Sequence, residues 1–372
     1  MAQALIMAGG ASKRMHASGQ STHKALIEVL GVPLLERNLM TLLAHGLRDI
    51  AVSCSVGSAV QEYVEQRGRA LVRSQGGTLS IVTEKKPLGN VGAARAVKTS
   101  SDALLMIYVD NLTTVDLHAL IDRHRASNAA LTIAPHRERF SIAFGELILS
   151  DGLVDQYIEK PDKHIQVSSG MYVLSRKAID FINIDESLAI NALFLRLKKN
   201  NELIAAYEHN EPWIDVNDAA ALARAEELVF RNNEAFEQWP RSPDEVIVHA
   251  LVLSPDGVMV VVENTSACQW GFPHERMSEM ANATSCYAEA LAQELGLRRI
   301  SPPTRLGDFI EIDLPSGRVL RHYGLLFHID SAQELKDMDR RAWMLPKKLT
   351  DCHTLTAPAK RLRSSRCSGK FV

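Results

Sequence analysis

Over the first ~230 positions, short apolar runs alternate with longer stretches whose apolar residues recur every three or four positions. The runs at 4–8, 50–53, 79–83, 103–109 and 131–134 predict short buried strands. The amphipathic stretches at 34–45, 58–66, 90–98 and 115–127 predict helices between them. Alternation of this kind predicts an α/β fold with a doubly wound, mostly parallel sheet. Residues 144–161 break the rhythm and predict an antiparallel excursion turning at Ser150-Asp151-Gly152. An Ala-, Leu- and Glu-rich helix at 219–233 closes this part.

Periodicity stops at Gln238-Trp239-Pro240-Arg241-Ser242-Pro243, whose two prolines mark a boundary. Residues 1–237 are therefore expected to form the first domain. Beyond the boundary, strands at 246–253 and 258–263 flank the turn Ser254-Pro255-Asp256-Gly257. A helix at 284–295 and strands at 309–314 and 323–329 follow. This predicts a smaller α+β domain over 245–350. The tail 351–372 carries Lys360, Arg361, Arg363, Arg366 and Lys370 among Ser, Thr and Pro, and reads as a flexible, solvated terminus.

Composition narrows the partners. The chain has 372 residues, 46% hydrophobic and 23% charged, with a formal net charge of −2. A near-neutral balance argues against an electrostatic grip on nucleic acid or an anionic membrane surface. No apolar run is long enough for a membrane span, and the amino terminus enters a strand with no secretory pattern. Cys54, Cys268, Cys286, Cys352 and Cys367 are scattered and odd in number. They suit reduced thiols in a cytoplasm better than a disulfide frame or a zinc site.

Candidate chemistry lies where a parallel sheet places ligands, at the carboxyl ends of strands. The first strand runs into Ala8, Gly9, Gly10, Ala11, Ser12, Lys13 and Arg14, a glycine turn followed by a basic pair, which suits a triphosphate. Lys24 is a further cation nearby in sequence. Asp110, followed by Asn111, ends another apolar run and could hold Mg²⁺ through hard oxygen, or merely cap the helix near Val115. A second small-residue turn, Pro87, Leu88, Gly89, Asn90, Val91 and Gly92, follows Glu84. That carboxylate could accept from the N–H edge of guanine, or be a solvated acid beside Lys85 and Lys86. Glu159-Lys160-Pro161 and Gly170-Met171-Tyr172 could line the rest of a cleft. Trp213-Ile214-Asp215 offers a second strand-end carboxylate, and two such aspartates can share one metal ion.

In order, Met7–Met15, His23-Lys24, Pro87 to Ala93, Val109-Asp110, Glu159-Lys160-Pro161, Gly170 and Trp213 to Asp215 resemble the motifs of sugar-1-phosphate nucleotidyltransferases. The resemblance covers the first ~230 residues and implies a Rossmann-like sheet. It also implies a Mg²⁺-dependent reaction in which a sugar or cyclitol phosphate attacks the α-phosphorus of a nucleoside triphosphate and pyrophosphate leaves. On it, Asp110 and Asp215 are the metal ligands, Arg14 holds the β- and γ-phosphates and Lys24 the α-phosphate. Ala8, Gly9, Gly10, Ser12, Lys13, Glu84, Pro87, Leu88, Gly89 and Gly92 would meet the nucleotide. Asn111, Gly145, Glu159, Lys160 and Gly170 would meet the acceptor. Departures fall at Ser12, Lys13, His23, Asn90 and Asn217, affecting base choice more than the reaction; Glu84 tilts the expectation to GTP.

Trp270-Gly271-Phe272-Pro273, followed by a helical stretch ending Glu294-Leu295-Gly296, resembles a Nudix hydrolase box. His274-Glu275 replace its glycine pair, and Glu289-Ala290 and Gln293-Glu294 retain one of its metal-binding glutamates in place. The expectation is a Nudix-like fold without hydrolysis, serving as a packing partner, a homodimer surface, a cover for the first domain or a ligand sensor. Two rival expectations are a regulator that binds nucleotide sugars without catalysis, and a bifunctional transferase and pyrophosphohydrolase.

Overall fold

The computed structural model describes residues 2–10, 22–98, 101–236, 244–253, 259–264, 269–272, 274–277, 293, 304–313, 318–328 and 341–344. By packing, the chain divides into two units, Met1–Lys13 with Leu47–Val64 and Thr78–Val216, and Arg14–Gly46 with Glu65–Gly77 and Asn217–Val372.

The first unit carries β1 (Gln3–Met7), β2 (Asp49–Ser55), β3 (Thr78–Glu84), β4 (Ala103–Tyr108), β5 (Asn111–Thr113), β6 (Leu131–Ser141), β7 (Glu146–Ser150), β8 (Leu153–Ile158), β9 (Asp162–Ser175), β10 (Ile204–Ala206) and β11 (Trp213–Asp215). Seven of these form one sheet in the order β10-β6-β9-β4-β1-β2-β3. Every residue of β1 is buried, as an apolar strand inside a two-sided sheet requires. Pairings β1–β2, β1–β4, β2–β3 and β6–β10 are parallel, and β9 enters antiparallel between β4 and β6. The mostly parallel sheet expected from the alternation is therefore present. Leu5, Leu104, Met106, Tyr172 and Leu174 pack with Leu88, Val91, Ile179 and Leu193 to fill its core.

Two local expectations need correction. The stretch 90–98 forms only a single 3-10 turn, Gly92–Ala96. The reason is tertiary: Val91 N–H donates to Leu188 O at 3.2 Å and Leu188 N–H donates to Leu88 O at 3.0 Å, so the segment is pinned to a distant loop before an α-helix can form. The cap of the helix Leu117–Ser127 is Asp116, whose carboxylate accepts from His118 and Ala119 N–H at 2.9 and 3.0 Å, so Asp110 is not spent on that task. The predicted antiparallel excursion is the hairpin β7–β8, with Asp151 and Gly152 at φ 50° and 81° as an I′-like turn demands.

In the second unit, the helix Leu34–Ala44 follows a loop held by Arg37, whose guanidinium donates twice to Val29 O at 3.1 and 2.8 Å. Buried Glu36 takes a bidentate pair from Arg67 at 2.7 and 3.0 Å. Seven strands form the other sheet: β12 (Glu245–Leu253), β13 (Met259–Asn264), β14 (Gln269–Gly271), β15 (His274–Met277), β16 (Thr304–Asp313), β17 (Arg318–His328) and β18 (Arg341–Met344). β12 and β13 are antiparallel neighbours, as the predicted hairpin requires; their turn lies outside the described residues. So do the boundary at 238–243, the helix expected at 284–295 (Gln293 apart) and the tail.

β12 runs parallel to β17, and this pairing sets buried His249 against buried His322, Nε2 to Nδ1 at 2.8 Å. Burial first, then the neighbouring imidazoles of His322 and His274, holds His249 well below the ordinary histidine value. The folded state thus keeps this ring neutral while the unfolded chain protonates it near pH 6.5. Its stabilising contribution is complete above that pH and is lost as pH falls toward the folded value. Urea unfolding from pH 7.5 to 5 should show stability falling by up to about 1.4 kcal/mol per pH unit for this proton. His249→Phe should flatten that slope; an unchanged slope would contradict the assignment.

Candidate active site

The two strand-end aspartates lie about a hundred positions apart in sequence, yet one short ladder joins them. β5 and β11 pair antiparallel, with Asn111 opposite Asp215, Leu112 opposite Ile214 and Thr113 opposite Trp213. The ladder continues one step further, where Val216 N–H donates to Asp110 O at 2.9 Å. Asp110 sits in the turn between β4 and β5, and both aspartates are half-buried. Trp213 anchors the returning strand: its indole N–H donates to Ser169 O at 3.0 Å. Behind it, the His136 ring meets those of Trp213 and His209 at tilted angles, with centroids 5.1 and 5.2 Å apart. Burial, then His136, lowers the pKa of His209 against the opposing pull of Glu211, so the support is uncharged.

These two carboxylates offer hard oxygen donors at one end of the sheet. No cluster of three or more metal-binding side chains occurs among the described residues. A pair of carboxylates suits Mg²⁺, which takes one or two protein ligands and fills the rest of its octahedron with water and phosphate oxygens.

The glycine turn is shaped from below by Glu84. β1 ends at Met7, Ala8 N–H donates to Ser53 O at 2.9 Å, and Gly9 then passes directly over the Glu84 carboxylate. A Cβ at Gly9 would collide with that carboxylate, so only glycine allows the crossing. The acid is 4% exposed, not solvated as one expectation had it. Ser53 Oγ donates to one of its oxygens and Leu88 N–H to the other at 3.1 Å. A single carboxylate thereby joins the first glycine turn, strand β2 and the second turn. In that second turn Pro87 is exposed and Leu88 buried, while Gly89 and Gly92 lie against the backbone of Leu188 and Glu186. Gly89 and Asn90 remain exposed in this turn. Asn90 has a structural task too, its Oδ1 accepting from Ile190 N–H at 2.7 Å at the start of the helix Ile190–Lys199.

Of the residues expected to meet the acceptor, Asn111 and Gly170 come together and the others lie elsewhere. Gly170 has φ 77°, and a Cβ there would strike the Asn111 amide and the Tyr108 ring. Burial, with Tyr172 and Asp110, pushes the Tyr108 hydroxyl above its ordinary range and keeps it neutral. Glu159 and Lys160 stand on the exposed turn after β8, 4.0 Å from one another, with Tyr157 OH donating to Glu159 at 3.0 Å. Gly145 lies beneath the Tyr157 ring. Lys24 opens a half-buried 3-10 turn, Lys24–Leu26, in the second unit. Ser12, Lys13 and Arg14 lie outside the described residues, as does most of the Nudix-like helix, Ala290 and Glu294 included. Reading the sequence missed Ser53 and Tyr108, which could have been sought as polar residues at the carboxyl ends of predicted strands, and took Asn90 only as a departure from the motif.

A profile of the Nucleotidyl transferase family matches residues 3–231. The chain belongs to that family. Curated relatives of this chain include a mannose-1-phosphate guanylyltransferase of Mycobacterium tuberculosis, 30% identical over 184 residues, covering 48% of this chain and 50% of that protein. A mannose-1-phosphate guanyltransferase of Candida albicans is 24% identical over 226 residues, covering 57% and 60%. The mannose-1-phosphate guanylyltransferase catalytic subunit beta of Drosophila melanogaster is 24% identical over 221 residues, covering 58% and 59%. The chain thus spans 50–60% of the length of these relatives. Among solved structures, HddC from Yersinia pseudotuberculosis superposes with a TM-score of 0.47 and 21% identity, covering 61% of this chain and 99% of that one.

With Glu84 as the strut of the two turns, Glu84→Ala should cost about 1–3 kcal/mol, because Leu88 N–H loses its acceptor in a buried place. Glu84→Gln keeps an acceptor for Leu88 and a donor for Ser53, and should recover most of that loss. Urea unfolding of the three proteins checks this; equal loss in both variants would contradict it.

Proposed function

We propose that this chain is a Mg²⁺-dependent nucleotidyltransferase that joins a nucleoside triphosphate to a sugar 1-phosphate or a similar cyclitol phosphate, releasing pyrophosphate. The carrying observation is the β5–β11 ladder, which gathers Asp110 and Asp215 in a chain of this family. The names of the curated relatives favour a guanine nucleotide and mannose 1-phosphate as the first pair to try. Asp110 and Asp215 would hold the ion, which when bound offsets the charge of the phosphates around the reacting phosphorus. Asn111, seated by Gly170, orients the acceptor. Ala8, Gly9 and Gly10 bring backbone close to the triphosphate, with Ser12, Lys13, Pro87, Leu88, Gly89 and Gly92 completing the nucleotide side. Arg14 and Lys24 keep the phosphate-binding roles that motif order implies, and Gly145, Glu159 and Lys160 those toward the acceptor. An acceptor phosphate oxygen then displaces pyrophosphate in line, the chain contributing alignment and charge in place of a covalent intermediate.

In this reading, residues 1–237 are the transferase and 245–350 a Nudix-like unit without hydrolase activity, supported by Ala290 and Gln293 at positions where that box needs carboxylates. A cytoplasmic setting agrees with the scattered cysteines, of which Cys54 is buried. Among the described residues, no helix is long and apolar enough to cross a membrane.

Pyrophosphate release with Mg²⁺, each of GTP, ATP, UTP, dTTP and CTP, and a panel of sugar 1-phosphates tests the proposal. At least one pair should turn over, and Asp110→Ala or Asp215→Ala should lower kcat by about 10²-fold or more with melting unchanged. Release from no pair would contradict it and favour a binding regulator.

A further inference from the structure

We propose that Glu186 and Arg196 are positioning residues for the nucleotide, acting through Leu188 on the turn 87–92. This role rests on the reading above that the turn meets the nucleotide. Between Glu84, where β3 ends, and Gly92, where the 3-10 turn begins, no helix or strand holds the chain. Its shape is imposed instead by residues about a hundred positions later. Leu188 N–H donates to Leu88 O at 3.0 Å and Val91 N–H to Leu188 O at 3.2 Å, while Gly89 and Leu188 form an isolated parallel bridge. Ile190 N–H donates to Asn90 Oδ1 at 2.7 Å. A Cβ on Gly89 would strike Leu188 O, and one on Gly92 would strike Glu186 O, so the two segments lie in direct contact. Leu88 is thereby held from both sides, its N–H by Glu84 and its carbonyl by Leu188.

Leu188 can shape the turn only if its own segment is fixed, yet residues 183–189 form neither helix nor strand. Glu186 fixes them. Its Oε2 accepts from the backbone N–H and the side-chain amide of Asn183 at 3.1 and 3.0 Å, and from Arg196 at 2.8 Å. Its Oε1 accepts from the other arm of the same guanidinium. Arg196 also donates to Phe181 O at 3.0 Å, so one side chain of the helix Ile190–Lys199 ties both ends of the segment. A forked pair of this kind fixes orientation as well as distance. Arg196 first, then the Asn183 N–H, holds the Glu186 carboxyl down to about 2, so the clamp stays charged at neutral pH. Both side chains keep contact with water, and such a pair adds little to global stability. Its consequence is local: it sets the place of Leu188, and through Leu188 the turn.

Steady-state kinetics with the triphosphate and sugar phosphate that release most pyrophosphate test this. Glu186→Ala and Arg196→Ala should each raise the KM for the triphosphate at least about fivefold, while kcat and the KM for the sugar phosphate stay within about twofold. The double variant should be little worse than either, since each removes the same clamp. Glu186→Gln keeps an acceptor oxygen and should recover part of the loss. Asn90→Ala severs only the bond to Ile190 and should raise the same KM; it replaces the clamp variants should circular dichroism show them unfolded. A triphosphate KM unchanged in the folded variants overturns the positioning role and leaves the reaction intact. So does a rise shared with the sugar phosphate KM, or one accompanied by a fall in kcat. Pyrophosphate release from no pair overturns the role together with the reading it rests on.

Discussion

Three residue pairs between β5 and β11 are the constraint on which the rest of the catalytic proposal depends. Neither strand is long, and neither belongs to the large sheet. Their pairing nevertheless brings together the backbones that carry two aspartates the chain encodes far apart. The parallel strands bring Asp110 to the rim, and the indole bond from Trp213 to Ser169 holds the returning strand in place. Gly170 lets Asn111 sit close beneath. Each of these supports is neutral, so the local charge is left to the aspartates and whatever they bind.

Glu84 does a second kind of work. Burying a carboxylate is costly unless its oxygens are paired, and here they receive Ser53 and Leu88. The arrangement couples two glycine turns that are separate motifs in the sequence. A residue first read as a reader of guanine thus has an internal task, and base choice is better sought among the exposed residues of those turns.

Much of the first unit was legible because its strands are short apolar runs buried on both faces, a pattern that survives without tertiary knowledge. Asp110 and Asp215 were legible as strand-end acids, since apolar runs announce where a sheet ends. What could not be read was decided by contacts over long separations. Residues 90–98 have helical periodicity, but the backbone of Leu188 claims them. Asn90 looked like a lapse from a motif and is instead bonded to Ile190.

The most direct test of the shared-ion claim uses Mn²⁺ as a spectroscopic stand-in, with a non-hydrolysable GTP analogue, followed by electron paramagnetic resonance. The account predicts a tightly held ion whose affinity drops by about tenfold or more in Asp110→Asn and in Asp215→Asn, with the double variant little worse than either, as coupled ligands of one site require. Losses that simply add, or an affinity that either substitution leaves untouched, would mean that the two carboxylates do not serve one ion.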